Sequence, residues 1–239
     1  MKLKVIATGS SGNCYLLDDG KEILILEAGV QFKEVKEAID YQTSRIVGVL
    51  STHEHGDHRK FLHEYARAGI PTMKGNEYSE SGLLYVPVSG TILGNYYIRM
   101  FEVKHDVSCY GYYISHPDMG TLVFVTDAMY IEYTFQEVNH IMVEANYSQD
   151  ILDENVASGE IPQSLRNRIM KSHMSFDTAK GMVKANKSPH LRNVIMCHLS
   201  TRNSDKKRFQ EEMQEVAGPY CNVEVAKKGL ELEINKYPF

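Results

Sequence analysis

Residues 51–58 read STHEHGDH and follow directly on the apolar run RIVGVL at 45–50. Three imidazoles, His53, His55 and His58, and the carboxylate of Asp57 are thereby gathered at the end of a strand. Alternate strand positions face opposite ways and Gly56 breaks the regularity, so these groups belong to a turn from strand to helix rather than to one core face. Imidazole and carboxylate are the ligands of borderline and hard divalent cations. His53 and His55 can share one ion, while Asp57 and His58 face a second. A pair of such ions ionises water and stabilises the oxyanions of an attacked phosphoryl group, so hydrolysis is the chemistry to expect.

The elements that must position this turn are legible as alternating or continuous apolar runs. KLKVIAT, NCYLLDDG, EILILEAG, RIVGVLST, YYIRMFEVKH, CYGYYISH and GTLVFVTDA read as strands in the first half, and HIMVEAN, NVIMCHLS, NVEVAK and LELEINK in the second. Helical spacing predicts helices over 31–42, 58–69, 175–187 (with Ser175 as N-cap) and 204–218. Residues 147–168 are the least regular, a helical or loop excursion near the site. Strands, then a helix pair, then the same grammar again predict an α/β (α+β) fold, two sheets flanked by helices, as one domain over 1–239.

The chain has 239 residues, 43% hydrophobic and 24% charged, the composition of a soluble protein able to close a core. No stretch reaches the length of a membrane span, so a cytoplasmic protein with no membrane partner is expected. Cys14, Cys109, Cys197 and Cys221 lack C-x-x-C spacing and are expected to be reduced and mostly buried. A net charge of −5 argues against a protein that coats many backbone phosphates, so no stable nucleic-acid complex is expected. SDKKR at 204–208 is the compact basic candidate.

The H-x-H-x-D-H turn after a buried strand resembles the hallmark of the metallo-β-lactamase superfamily. That resemblance implies an αββα sandwich with two divalent metal ions along one edge, zinc or manganese. EVKHDVSCYGYYI, similar to an element of the tRNase Z-like branch, assigns His105 to the first ion. VFVTDAM places Asp127 where the family has its bridging carboxylate, and VIMCHLSTRN places His198 as the last ligand, on the second ion. LILEAG carries Glu27 where many relatives have Asp, which changes the reach of the group supporting the metal loop.

VEANYS and SHMSFDTA resemble the branch's proton-donor elements. Carried over by position, His173 is the general acid that protonates the leaving oxygen and Glu144 its orienting carboxylate, with Asp57 also part of the catalytic centre. This pair favours phosphodiesters over lactams and thioesters. With no tRNA-grasping arm between the motifs and no room for a β-CASP domain, the preferred expectation is hydrolysis of 3′,5′-cyclic mononucleotides. Small phage and bacterial members known as anti-Pycsar proteins do this, and the resemblance further implies a homodimer in the cytoplasm of a bacterium or of a phage's host. Tyr112 and Ser175 are the expected substrate contacts, Tyr112 from a stock of tyrosines able to stack on a base. The alternative is a DNA or RNA exonuclease of the same fold.

Overall fold

A computed structural model of the chain describes residues 1–74, 77–79 and 90–237. The strands are β1 (Lys2–Ala7), β2 (Cys14–Asp18), β3 (Ile23–Leu26), β4 (Ile46–Ser51), β5 (Thr72–Lys74), β6 (Glu77–Ser79), β7 (Thr91–Leu93), β8 (Tyr96–Val103), β9 (Cys109–His116), β10 (Gly120–Val125), β11 (His140–Glu144), β12 (Asn193–Cys197), β13 (Asn222–Val225) and β14 (Glu231–Glu233). They form two seven-stranded sheets, β14-β1-β2-β3-β4-β5-β6 and β13-β12-β11-β10-β9-β8-β7.

The inner faces meet in one core. Leu3, Tyr15, Leu17, Leu24 and Leu50 of the first sheet pack against Tyr96, Tyr112, Ile114, Phe124 and Ile195 of the second. Helices cover the outer faces. Phe32 and Val35 of α1 (Phe32–Ala38) and Tyr65 of α3 (Leu62–Arg67) lie on the first sheet with Leu16, Ile25 and Val49. Phe176, Ala179 and Val183 of α6 (Phe176–Ala185) and Phe209 and Met213 of α7 (Lys206–Ala217) lie on the second with Val123, Val143 and Val194. The layers are therefore helix, sheet, sheet, helix, as the sequence predicts. All four cysteines are free and buried.

The parallel strands explain the continuous apolar runs. β3 pairs in parallel with β4, and β10 to β13 run parallel in succession, so β3, β11 and β12 are buried at every position. β8 and β10 each run antiparallel to β9. The carboxyl ends of β8, β10, β11 and β12 therefore share one edge of the second sheet, which is where the candidate ligands of that sheet occur.

All four predicted helices are shorter than their predicted spans. The helix predicted over 58–69 is two, α2 (Gly56–Arg59) and α3, and the excursion at 147–168 holds α4 (Gln149–Ala157) and the start of α5 (Gln163–Ser172). Among the described residues, no helix is long and apolar enough to cross a membrane.

Candidate metal centre

The turn after β4 is held by backbone bonds to the residue before β2 and to the turn after β3. Asn13 N–H donates to the carbonyl of Asp57 (2.7 Å), Ala28 N–H to that of His58 (2.7 Å), and Phe61 N–H to that of Ala28 (3.0 Å). The chains approach so closely that a Cβ on Gly29 would lie 1.8 Å from the Asp57 carbonyl oxygen. Glu27, Asp127 and His198 each have positive φ (68°, 50° and 52°) and each follows a buried strand. Left-handed backbone at a non-glycine residue is costly and persists where surrounding structure holds it, most often at functional sites. Here it turns three strand ends toward one point.

Two clusters result. Nitrogen and oxygen atoms of His53, His55, His105 and Asp127 lie within 4.8 Å of one another, as do those of Asp57, His58, Asp127 and His198. Asp127 belongs to both. Its Oδ2 faces His53 Nε2 at 3.8 Å, and its Oδ1 faces His58 Nε2 at 3.4 Å and His198 Nδ1 at 3.3 Å. The structure thus brings together the residues that the motif spacing and the resemblance group around each of two ions. The donor set fits metal: His53 Nε2 and His105 Nδ1 are buried polar atoms without a hydrogen bond, an arrangement that is costly unless a ligand completes it.

The two clusters differ in charge. Burial, with the imidazoles of His58, His105 and His55 beyond it, holds His53 down at about 2, and burial also lowers His105. Burial opposes the charge on His198 too, but Asp127, Asp57 and Glu144 outweigh it and push His198 up to about 10; Asp127 and Glu27 raise His58 likewise. Despite burial, His198 and His58 hold Asp57 and Asp127 below the usual carboxylate range.

Glu27 remakes the support expected of a shorter acid. Its Oε1 accepts from Thr52 Oγ1 (2.6 Å) and lies 3.3 Å from His58 Nδ1, while both oxygens accept from Thr52 N–H (3.3 Å each). Asn13, Thr52 and Asn146 were not visible as site residues in the sequence. Asn13 Nδ2 lies 3.2 Å from His58 Nε2, Thr52 Oγ1 lies 2.9 Å from His53 Nδ1, and Asn146 Nδ2 donates to the His198 carbonyl (2.9 Å).

Beside the second cluster, His173 Nδ1 meets Glu144 Oε1 at 2.7 Å. Glu144 is fully buried, and its Oε2 accepts from Met174 N–H (3.0 Å) and Ala128 N–H (3.2 Å). The His173 side chain is 19% exposed and stacks on the His198 ring at 5.4 Å.

Of the two expected substrate contacts, Tyr112 is placed away from the site. Tyr112 is fully buried between the sheets and its hydroxyl donates to the Ser51 carbonyl (2.7 Å), so it has no ring face to offer a base. Ser175 caps α6, its Oγ accepting from Thr178 N–H (3.1 Å), and this capping bond is the role its position shows. In the basic stretch 204–208, Arg208 is tied to Asp150 (2.6 Å) and Ser148 (2.6 Å) and braces α7 against α4.

Residues 7–72, which include β2 to β4 and the H-x-H-x-D-H turn, match the profile of the Metallo-beta-lactamase superfamily. Over that segment the chain is similar to the metallo-β-lactamase superfamily, and its αββα sandwich has that family's fold. The clustered ligands make it a metal-dependent hydrolase with a binuclear centre. The chain is 25% identical over 230 residues to "Exodeoxyribonuclease WalJ" of Streptococcus pneumoniae, covering 86% of this chain and 84% of that protein. It is 22% identical over 238 residues to "Exodeoxyribonuclease YycJ" of Bacillus anthracis, covering 90% and 89%. Among solved structures, the metallo-β-lactamase fold protein YhfI of Bacillus subtilis superposes with a TM-score of 0.70 at 18% identity, over 97% of this chain and 99% of that one.

Proposed function

We propose that the chain is a metal-dependent phosphodiesterase that degrades DNA from an end. The observation that carries the phosphodiester reading is the buried Glu144–His173 pair, 2.7 Å apart, beside the metal clusters. The exodeoxyribonucleases that align along most of this chain support DNA as the substrate. The cyclic-mononucleotide expectation rested on a bare core of acidic balance; of the tyrosines it offered for stacking on a base, the preferred one, Tyr112, is in the core.

His53, His55 and His105 would hold one ion, Asp57, His58 and His198 the other, with Asp127 between them. The mixed imidazole and carboxylate set suits Zn²⁺ and also Mn²⁺. When bound, two divalent ions would polarise the phosphoryl oxygens and lower the pKa of a water. The remaining need is a proton for the departing sugar oxygen, a poor leaving group as an alkoxide. Burial disfavours charge on His173, but Glu144, by its charge and its hydrogen bond, raises the imidazole above its ordinary value. Glu144 fixes Nδ1, so the ring's outward nitrogen is the one that delivers the proton. Glu144 is itself kept ionised, against its burial, by His173 and His198.

The test is hydrolysis by the metal-supplemented chain of end-labelled single- and double-stranded DNA, RNA and a panel of 3′,5′-cyclic mononucleotides, with Asp57→Ala as control. Progressive shortening of DNA from one end, absent in the control, is expected. Consumption of cyclic nucleotides with DNA left intact would overturn the proposal.

A further inference from the structure

α5, in the excursion of irregular sequence, carries Arg166, Arg168 and Lys171 and no acidic residue, and it ends at His173. Arg166 is spent on Asp153 (2.6 Å). Arg168 and Lys171 are exposed, and among the described residues neither has a carboxylate partner. They line a groove of about 320 Å³ with Ser164, Asn167, Ser172 and Asp106. Positions 164, 167, 168 and 171 share one helix face by their spacing of three and four, and that face runs about 10 Å along the axis.

The groove borders the candidate centre through two of its lining residues. Asp106 follows His105, and its Oδ1 lies 2.9 Å from His105 Nε2 and 3.5 Å from His55 Nε2. Ser172 precedes His173. The one acid in the groove thus sits against two imidazoles of the first cluster, and the cations stand further out along α5. In a chain of net charge −5, two unpaired cations on a polar helix face beside a phosphodiester centre are placed for anions other than the one being cleaved.

We infer that this groove is a strand-binding subsite, in which Arg168 and Lys171 hold phosphates of the DNA strand next to the scissile bond. The inference rests on the exonuclease reading and names how that substrate is held. A cyclic mononucleotide has a single phosphate, which the metal centre would take, so a second phosphate site serves a substrate with further phosphates, as a DNA strand has. Ser164 and Asn167 supply uncharged donors on the same face, suited to the sugar-phosphate backbone rather than to base edges.

The experiment compares the metal-loaded wild type with Arg168→Ala/Lys171→Ala, and with Lys206→Ala/Lys207→Ala as a remote control. Three quantities are measured across a salt series: kcat and KM on a single-stranded oligothymidylate, affinity for its phosphorothioate analogue, and turnover of bis(p-nitrophenyl) phosphate. The α5 variant should raise KM and Kd on the order of 10-fold, and the slope of log affinity on log salt should become shallower by about 1.4, at about 0.7 per lost single-strand phosphate contact. Small-diester turnover should stay at the wild-type level, which also shows that the variant is folded, and the remote control should behave as wild type. Unchanged KM, Kd and salt slope in the α5 variant would overturn the inference, as would a wild type that does not bind the phosphorothioate strand. A wild type that binds the strand through these cations but cannot degrade the oligothymidylate supports the subsite and sinks the exonuclease reading instead.

Discussion

Glu144 uses a single oxygen, Oε1, to hold His173 at 2.7 Å, and the same oxygen lies 3.1 Å from Nδ1 of the metal-cluster residue His198. Proton donor and metal ligand are thereby oriented by one buried carboxylate, and their rings stack at 5.4 Å with 20° between planes. The coupling makes the position of the acid and the position of the second cluster a single structural variable.

For the acid itself, His173→Ala is expected to lower kcat on DNA on the order of 100-fold, with metal content unchanged. On a diester whose leaving group is p-nitrophenolate, which departs without a proton, the loss should be much smaller. Because Glu144 raises the His173 pKa, the protonated donor persists above its ordinary range and the rate falls as pH rises through that raised value. In Glu144→Gln this alkaline limb should move to lower pH. Equal losses on both substrates, or an unmoved limb, would remove His173 as the acid.

Metal loading should show two different pH dependences. His53, held at about 2, and His105, also lowered, are neutral near neutral pH and bind an ion without releasing a proton. His198, raised to about 10, and His58, raised as well, are protonated there and must lose protons first. Affinity for the second equivalent should therefore climb as pH rises from neutral toward about 10, while the first changes little. Calorimetric titration in buffers of different ionisation enthalpy would count the protons; release accompanying the first equivalent rather than the second would contradict this assignment.

Glu27 provides a sharper test of support around the centre. Its carboxylate links Thr52 to His58 Nδ1, and loss of such an orienting group typically costs 10- to 100-fold in metal affinity. Glu27→Gln is expected to weaken the second ion by about that factor and leave the first nearly intact. Competition with a chromophoric chelator would resolve the two steps, and equal weakening of both would show that Glu27 supports the whole turn instead.

The sheets and several candidate site residues were readable because these residues end apolar runs: His53 follows β4, Asp127 β10, Glu144 closes β11 and His198 follows β12. A strand buried on both faces announces itself by composition, and its end by the first charged residue. Tyr112 was misplaced by parity. Adjacent strand residues face opposite sides, so Tyr112 enters the inter-sheet core while Tyr113 packs outward against Phe135. The helices α4 and α5 were illegible for a different reason: their apolar contacts reduce to a small cluster around Tyr147, Leu152 and Ile161, and tertiary packing rather than periodicity holds them. The supporting polar groups, Asn13, Thr52 and Asn146, are common residue types whose role exists only in three dimensions.

Tyr112→Phe checks the reassignment of that ring. Removing the hydroxyl deletes the buried bond to the Ser51 carbonyl, which should cost about 1 kcal/mol of stability. KM for any substrate should be unchanged, since the ring lies between the sheets. A denaturant midpoint equal to that of the wild type together with an altered KM would return Tyr112 to the substrate site.

Gly29→Ala tests whether the metal turn depends on contact between two backbones. The added methyl would lie 1.8 Å from the Asp57 carbonyl oxygen and 2.6 Å from the Asn13 nitrogen, and neither is the movable tip of a side chain. The hydrogen bond from Asn13 N–H to the Asp57 carbonyl, 2.7 Å long, must open, and Asp57 and His58 move with it. Because β3 and β4 are stabilised by their own buried runs, the sheets should still form and the damage should concentrate at the second cluster. The expected result is a folded protein by far-ultraviolet circular dichroism that binds one metal equivalent tightly and the other poorly, with hydrolysis largely lost. Two tightly bound equivalents and wild-type turnover would show that the turn accommodates the methyl, and that the close approach of Gly29 to Asp57 is not what sets the ligand positions.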